Sequence, residues 1–572
     1  MTMIFSCDIE TDGFDATKIW CIVAQNVETE EVITFTPSII SDFISWLDNV
    51  DTLVFHNGIS FDVPVLTKLL GVDFSGINIE DTMIMSQLSD PSIEGGHSLR
   101  SWGERFGYAK GDHEDWSCYS KAMLKYCIRD VEITTKIYNK LKDTLSEDAL
   151  KLEYETKKYC TEQENYGWYF DFKKAVGVLY DINEELKKVE DEVHNTFRYA
   201  TVWIPKNPVK SKFRKDGSPT LAYQKEMDLG CFENDDGVYG YWSDVPFNLN
   251  SRQHIGNVLV AAGWQPTEFT PTGKPKIDEG TLDGVDIPEA ELIARYLMLQ
   301  KRRSQLDSWL EEYNRDTNSI HSRVHTIGTV TSRMSSSNPN LQQVTASGKE
   351  FGSEMRSLFT VHSGKVLVGA DLSGLELRCL AHYMNDEEYT NEILHGDIHT
   401  ANQMAAGLQS RNQAKTFIYA FLYGAGDEKV GIIVGGTKAD GRKLKGKFLS
   451  NTPALKTLRT RVERASKRGY IRGLDGRHIP VRSEHSALNF LLQSAGAIIA
   501  KRAWVIFHNT CTLPFKQLGV IHDEIQVECD EQHADEIGKC IVDAMRETTN
   551  YYKLKCPIDG EYKIGRNWNE TH

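Results

Sequence analysis

The 572-residue sequence predicts a multidomain protein that combines α/β and α+β architecture. Three observations predict it. At about 100–200 residues per domain the length allows roughly three to five domains. The first 150 residues alternate β-rich runs with helical periodicity. From about residue 320 short strands and helices alternate to the end. With 40% hydrophobic and 26% charged residues, the composition is that of a globular enzyme, not of a disordered or fibrous chain.

In chain order, IFSCDIE and IWCIVAQNV read as strands joined by the turn-like TDGFDATK, and DTLVFHN reads as a third. SLRSWGERFG and KAMLKYCIRDVEITTKIYNKLKD have helical spacing, as do residues 151–198. Residues 199–246 break the pattern. They are rich in Pro, Gly, Lys and Asp, with aromatics at Tyr223, Tyr239, Tyr241 and Trp242, and read as a functional or mobile segment. Helical spacing returns at 251–262 and 288–314. VLVGADLSGLELRCLAH reads as a strand followed by a helix, RNQAKTFIYAFLYGAG as a helix ended by glycines, and KQLGVIHDEIQVEC as a hairpin.

No apolar run approaches the ~18–20 residues of a membrane span, so no membrane role is expected. The N-terminus lacks a basic region, an apolar stretch and a cleavage site, which disfavours secretion and organelle import. Eleven cysteines without a C-x-x-C pair argue for a reducing cytoplasm and against a disulfide framework or a zinc knuckle. Net charge is −16, which alone argues against a nucleic-acid partner. Its distribution reverses that. Residues 1–150 hold 11 Lys+Arg and 25 Asp+Glu, while Lys438 to Arg482 hold 14 basic residues and three acidic ones. Such a stretch can neutralise a phosphate backbone, although by itself it also fits a solvated helix face.

Asp8 and Glu10 lie two apart on a predicted strand and so share a face. Asp62 follows in FHNGISFDVP. Tyr126 and Asp130, four apart on a helix, also share a face. Carboxylates grouped this way repel one another unless cations neutralise them. Four can hold two Mg²⁺ ions, one activating a water and one stabilising a leaving oxygen, with the tyrosine orienting the water. Each acid alone is ordinary surface. The ordered set D-x-E, N-x4-D, Y-x3-D resembles the tyrosine-bearing DEDD exonucleases, which implies 3′→5′ removal of nucleotides from a DNA end.

A second set surrounds Asp371, at the predicted strand end, and Asp523, at the hairpin turn. The two can converge from adjacent strands and hold a Mg²⁺ pair about 4 Å apart, as in-line nucleotidyl transfer needs. Between them Arg411, Lys415, Tyr419 and Tyr423 recur every four residues on one helix face. Two cations one turn apart suit a triphosphate, the aromatics suit stacking on a base, and His399 can add a phosphate donor. Taken alone, the helix is equally an amphipathic element with core tyrosines.

ADLSGLELR, RNQAKTFIYAFLYGAG and HDEIQV, in this order, resemble motifs A, B and C of family A DNA polymerases. TSRMSSSNPNLQQV and ALNFLLQSAGA resemble the family's palm segments. The wording is most similar to the replicative polymerases of T-odd short-tailed bacteriophages, over nearly the whole chain. The resemblance implies a ribonuclease H-like DEDD 3′→5′ exonuclease domain (1–150) followed by a right-hand polymerase. Its thumb would span 151–320 with an insertion at about 199–246, its palm 321–398 and 471–572, and its fingers 399–470. It implies DNA-dependent synthesis from dNTPs on primer–template DNA, with proofreading and two Mg²⁺ per active site, in the cytoplasm of a bacterial host.

By the same resemblance Asp371, Asp523 and the Leu372 carbonyl hold the polymerase metals, and Asp8, Glu10, Asp62 and Asp130 hold those of the exonuclease. Arg411, Lys415 and His399 bind the triphosphate. Tyr419 senses the 3′ side of the sugar, Tyr423 gates the template base, and Glu376 crowds the 2′-hydroxyl. Arg333, His485, Gln493 and His522 read the minor groove, where acceptors sit alike for every base pair. The phage relatives carry a thumb insertion that binds host thioredoxin. Here 199–246 is shorter and differently composed. A thioredoxin site, a site for another processivity factor, a DNA-contacting flap and a plain surface loop all remain open, as do contacts with a phage helicase–primase. The alternatives to a polymerase are an exonuclease with a non-catalytic DNA-binding C-terminal half, a single-subunit RNA polymerase and a replication scaffold. Glu376 and the intact acids disfavour them.

Overall fold

Phe5, Cys7 and Ile9 alternate with polar residues along the first strand, and the second, IWCIVAQN, is apolar on both faces and buried on both, which sets the N-terminal sheet. Ile4–Thr11 pairs antiparallel with Ile19–Asn26, which pairs antiparallel with Val32–Phe35. On its other edge Ile4–Thr11 pairs parallel with Thr52–Phe55, and that strand with Asn78–Asp81. Helix Lys121–Leu141 is capped by the Ser120 hydroxyl, which accepts from the Met123 amide, and packs across the first two strands. The computed structural model describes residues 2–572. The chain forms two compact units: the chain up to Phe170 together with Glu312–His572, and Asp171–Glu311.

Within the first unit, helix Glu147–Tyr166 joins the N-terminal sheet to the C-terminal half. Its Ala149 closes a small cluster with Ile59, Ile84, Leu88 and Ile327. Its Leu152 and Cys160 enter the large C-terminal core. Between these, Glu153 is fully buried and bonds Lys501 Nζ at 2.6 Å and Arg477 Nη1 at 2.7 Å, while Arg477 also pairs with Asp475 at 2.5 Å. The Ser146 hydroxyl donates to the Asp475 carbonyl. Buried charges persist only when partnered in this way. One consequence corrects the charge reading: Arg477 and Asp475, counted in the basic stretch, are spent inside the protein.

The C-terminal sheet has the order Phe515–Ile521, Glu524–Asp530, Lys365–Leu372, Gly560–Gly565, all antiparallel. Gly560 lies opposite Leu372, where a Cβ would come 2.8 Å from the Asp371 carbonyl, so only glycine lets the last strand close. Helices Ala487–Thr510 and Ala534–Tyr551 pack against each other, the second also against this sheet. Helices Ile398–Ala406, Arg411–Leu422, Asp427–Ile433, Lys438–Asn451 and Pro453–Ser466 form the segment inserted between its strands. By length and composition Glu484–Thr510 is apolar enough to cross a bilayer. Lys501 and Arg502 interrupt its apolar run, so it does not read as a span in the sequence. In the fold 83% of its most apolar window is buried, as in a core helix.

The second unit pairs helices Phe172–Thr196 and Pro288–Glu311. Residues 199–246, expected to lack regular structure, instead form a three-stranded antiparallel sheet of Tyr199–Pro205, Tyr239–Pro246 and Phe232–Glu233, with helix Leu221–Asp228. Two-residue alternation is present in YATVWIP, where Ala200 and Val202 are buried. It was hidden between Pro-, Gly- and Lys-rich turns. Buried Glu226 holds the segment together by accepting from the Val209 amide (2.9 Å) and the Tyr239 hydroxyl (3.2 Å).

Candidate active sites

In the N-terminal sheet Asp8 and Glu10 point to one face. Asp62 opens helix Asp62–Leu70, and its Oδ1 accepts from the Ile9 amide at 3.2 Å, between them. Asp130 reaches the same place from helix Lys121–Leu141. All four acids are drawn together, and all are pushed above the usual carboxylate range. Burial is the first cause in each case. It lifts Asp62 to about 7, and Glu10 to about 9 with help from the charge of Asp130. Asp8 rises well above its ordinary value through burial, Glu10 and Asp62, and Asp130 rises through burial against the pull of Lys110. Such a set seeks cations. Its donors are hard carboxylate oxygens, as Mg²⁺ requires.

Two residues here escaped the sequence reading. Lys110 Nζ pairs with Asp130 Oδ2 at 2.6 Å and lies 4.7 Å from the centre of the Tyr126 ring. It comes from an irregular loop and carries no sequence signal. Cys127 donates its thiol hydrogen towards Asp8 Oδ2 at 3.3 Å. Its spacing of three before Asp130 on one helix was a readable signal.

In the C-terminal sheet the register places Asp371 opposite Glu524. The Leu372 amide donates to the Asp523 carbonyl at 3.2 Å, so the two acids of the second set stand side by side at the strand end and the hairpin turn. The turn has only two residues, and its first, His522, adopts a left-handed φ of 59°, unusual for a side chain with a Cβ. Gln342 braces it: its Oε1 accepts from the His522 amide (3.2 Å) and its Nε2 donates to the Val520 carbonyl (2.7 Å). Burial and then the neighbouring Asp523 push Asp371 up to about 7, and burial raises Asp523. Among the described residues no cationic side chain pairs with either. Glu524 is satisfied separately by Trp568 Nε1 (2.8 Å) and His572 Nδ1 (2.9 Å).

These acids line a cleft of about 480 Å³ with Leu372, Glu376, Arg333, His522, Tyr419 and Tyr423. Glu376 accepts from Tyr423 Oη at 2.7 Å and from Arg333 Nη2 at 2.9 Å. Tyr419 and Tyr423 stack with centroids 6.5 Å apart. Arg411, Lys415 and His399 do not line the cleft. Arg411 and Lys415 lie towards the start of the helix that carries Tyr419, about 18 Å of rise from Arg411 to Tyr423, and His399 lies on the preceding helix Ile398–Ala406. Arg411 Nε is engaged with Asp397 Oδ2 at 2.6 Å. The His399 ring stands 6.2 Å from that of Tyr419, its pKa held down by burial and by Arg411 and Lys415. Gln493 accepts from Thr331 Oγ1 at 3.4 Å, outside the cleft lining. His485 is exposed beside the Gly424 turn.

Comparisons with known proteins agree with this pairing of centres. A family model described as "DNA polymerase family A" matches residues 223–570, and one described as "3'-5' exonuclease" matches 2–146. The "DNA-directed DNA polymerase" of Enterobacteria phage T3 is 33% identical, and that of Escherichia phage T7 32%, each alignment covering 99% of both chains. The T3 alignment spans 714 positions against 572 residues, so that relative carries segments this chain lacks. A solved structure, "POL domain of Pol1 from M. smegmatis complex with DNA primer-template and dNTP", shares the fold with a TM-score of 0.78. It is 17% identical, with 100% of this chain and 96% of that one covered. The chain therefore belongs to family A of the DNA polymerases and is a DNA-directed DNA polymerase with an N-terminal 3′→5′ exonuclease domain.

Proposed function

We propose that this polymerase extends primer–template DNA with dNTPs at the cleft of Asp371 and Asp523, and excises 3′ ends at Asp8, Glu10, Asp62 and Asp130. The observation that carries the first assignment is the backbone hydrogen bond from the Leu372 amide to the Asp523 carbonyl, which sets the strand end carrying Asp371 beside the turn carrying Asp523, two acids that line one cleft and have no cationic partner among the described residues. Oxygen-only donors of this kind fit two Mg²⁺ ions, which supply charge neutralisation at the reacting phosphate and lower the pKa of the primer hydroxyl.

The remaining roles belong to side chains of this chain. Tyr423 and Arg333 hold the Glu376 carboxylate rigidly across the cleft floor, where it would crowd a ribose 2′-hydroxyl. Tyr419 offers a face to the incoming sugar and base. Arg411, Lys415 and His399 form a cationic end for the triphosphate. Because these three lie outside the cleft lining, closure would need helix Arg411–Leu422 to swing towards the acids, a coupling of pairing to assembly. Gln493, His485, His522 and Arg333 would read the minor groove. In the exonuclease, Tyr126 would orient the attacking water, steadied by Lys110.

In purified protein, Asp523→Ala or Asp371→Ala is expected to abolish primer extension while an end-labelled strand is still shortened. The pair Asp8→Ala with Glu10→Ala should do the reverse. Extension retained by Asp523→Ala overturns the assignment.

Residues 199–246 are proposed as a processivity-factor site, thioredoxin being one occupant. Support comes from apolar residues that this short segment leaves exposed, among them Tyr199, Phe213, Leu221, Met227, Phe232 and Trp242. A helicase–primase contact and a location in the host cytoplasm are proposed on resemblance to the phage enzymes alone.

A further inference from the structure

We infer that the exonuclease centre carries a built-in site for a thiophilic divalent cation of the zinc or cadmium class, with Cys127 supplying a sulfur ligand beside Asp8 and Glu10. The inference rests on the assignment of those two acids as metal ligands.

One carboxylate oxygen from each of Asp8 and Glu10, together with Cys127 Sγ, lie within 4.8 Å of one another. Sγ stands 3.3 Å from Asp8 Oδ2. A tetrahedral ion bound through oxygen at about 2.0–2.2 Å and sulfur at about 2.3 Å has ligand atoms roughly 3.5 Å apart, so small rotations bring this set onto one ion. The sulfur is held in place. Cys127 is fully buried under the first strand among Cys21, Val23, Met123 and Val131, and its helix is packed against that strand.

Two further observations point to a cation-binding place. Asp130, one turn beyond Cys127, is 3% exposed, and its Oδ1 has no hydrogen-bond partner. It is also the strongest charged neighbour of Glu10. Lys110 is committed to the other oxygen of Asp130, and among the described residues no cationic side chain pairs with Asp8 or Glu10.

A thiol is a poor ligand for Mg²⁺, which prefers oxygen, and a strong one for zinc or cadmium once deprotonated. As the sulfur–metal bond forms, the S–H bond breaks and its proton passes to buffer. Thiophilic ions would thus be held in a geometry that Mg²⁺ does not use, and would displace it from excision.

The test uses the full-length protein and Cd²⁺ in Mg²⁺-free buffer, read by ultraviolet thiolate-to-metal charge-transfer absorbance. Differences against Cys127→Ser remove the contribution of the other cysteines. The wild type is expected to show a band that Cys127→Ser and Cys127→Ala both lack. It should also disappear in Asp8→Ala with Glu10→Ala, where the thiol remains. The Cd²⁺ needed to halve Mg²⁺-supported excision should rise about tenfold or more in Cys127→Ser, since even outer partners of a metal site cost that much. Circular dichroism and melting of each variant control for folding, and the alanine variant suits the apolar surroundings if serine does not. An unchanged band or inhibition in both Cys127 variants overturns the inference. So does a band that survives loss of both acids. Failure of the wild type to excise with Mg²⁺ would instead strike at the underlying assignment of Asp8 and Glu10.

Discussion

Asp371 shows how one side chain reports on the ion it is built to receive. Its pKa of about 7, against about 3.9 in an unfolded chain, means that the folded protein without metal favours the protonated acid. The group's contribution to stability is therefore present at low pH and lost as pH rises through about 7. A divalent cation binds only the deprotonated form and reverses the trend. The rise in melting temperature produced by Mg²⁺ is accordingly expected to be larger at pH 8 than at pH 6, and Asp371→Asn should shrink the difference. A rise independent of pH would contradict the elevated acid. At this scale the sequence was informative wherever parity or a turn dictates direction. Asp8 and Glu10 share a face because a strand repeats every two residues, and Asp523 meets Asp371 because a hairpin turns there. Lys110 was invisible, since nothing in an irregular loop fixes where a side chain will reach. That Arg411 stands outside the cleft lining was also hidden, because helical spacing sets a face and not a position along the cleft.

Among the elements, helix Glu147–Tyr166 was legible as a helix and illegible as a connector. Its sequence is charged throughout, yet Glu153 is fully buried, meeting Lys501 and Arg477. Partners more than 300 residues away leave no local trace. Removing one member of a buried charge set typically costs about 3–5 kcal/mol, because the remaining charges stay desolvated. Glu153→Ala is therefore expected to lower the melting temperature of the whole protein far more than Lys151→Ala, whose pair with Glu147 is exposed. Equal effects in the two variants would show that the buried set is not an anchor. The sheet in residues 199–246 was missed for the opposite reason: its strands alternate correctly, but they are short and framed by turn-forming residues.

For the molecule as a whole, the order of motifs fixed the two activities, while composition nearly concealed them behind a net charge of −16. Replacing residues 206–238 with a short flexible linker is expected to leave single-nucleotide addition intact and to shorten the products made per binding event. Product lengths measured against a trapping excess of unlabelled DNA, with and without host thioredoxin, check this; unchanged lengths in both conditions would remove the processivity role. The Ile59, Ile84, Leu88, Ala149 and Ile327 cluster carries a consequence for descent. Deleting the first 140 or so codons would not yield a leaner polymerase, because Ala149 and Ile327 would be laid bare to water. A lineage that stopped needing to correct its errors would thus discard Asp8 or Glu10 long before it discarded the scaffold that carries them.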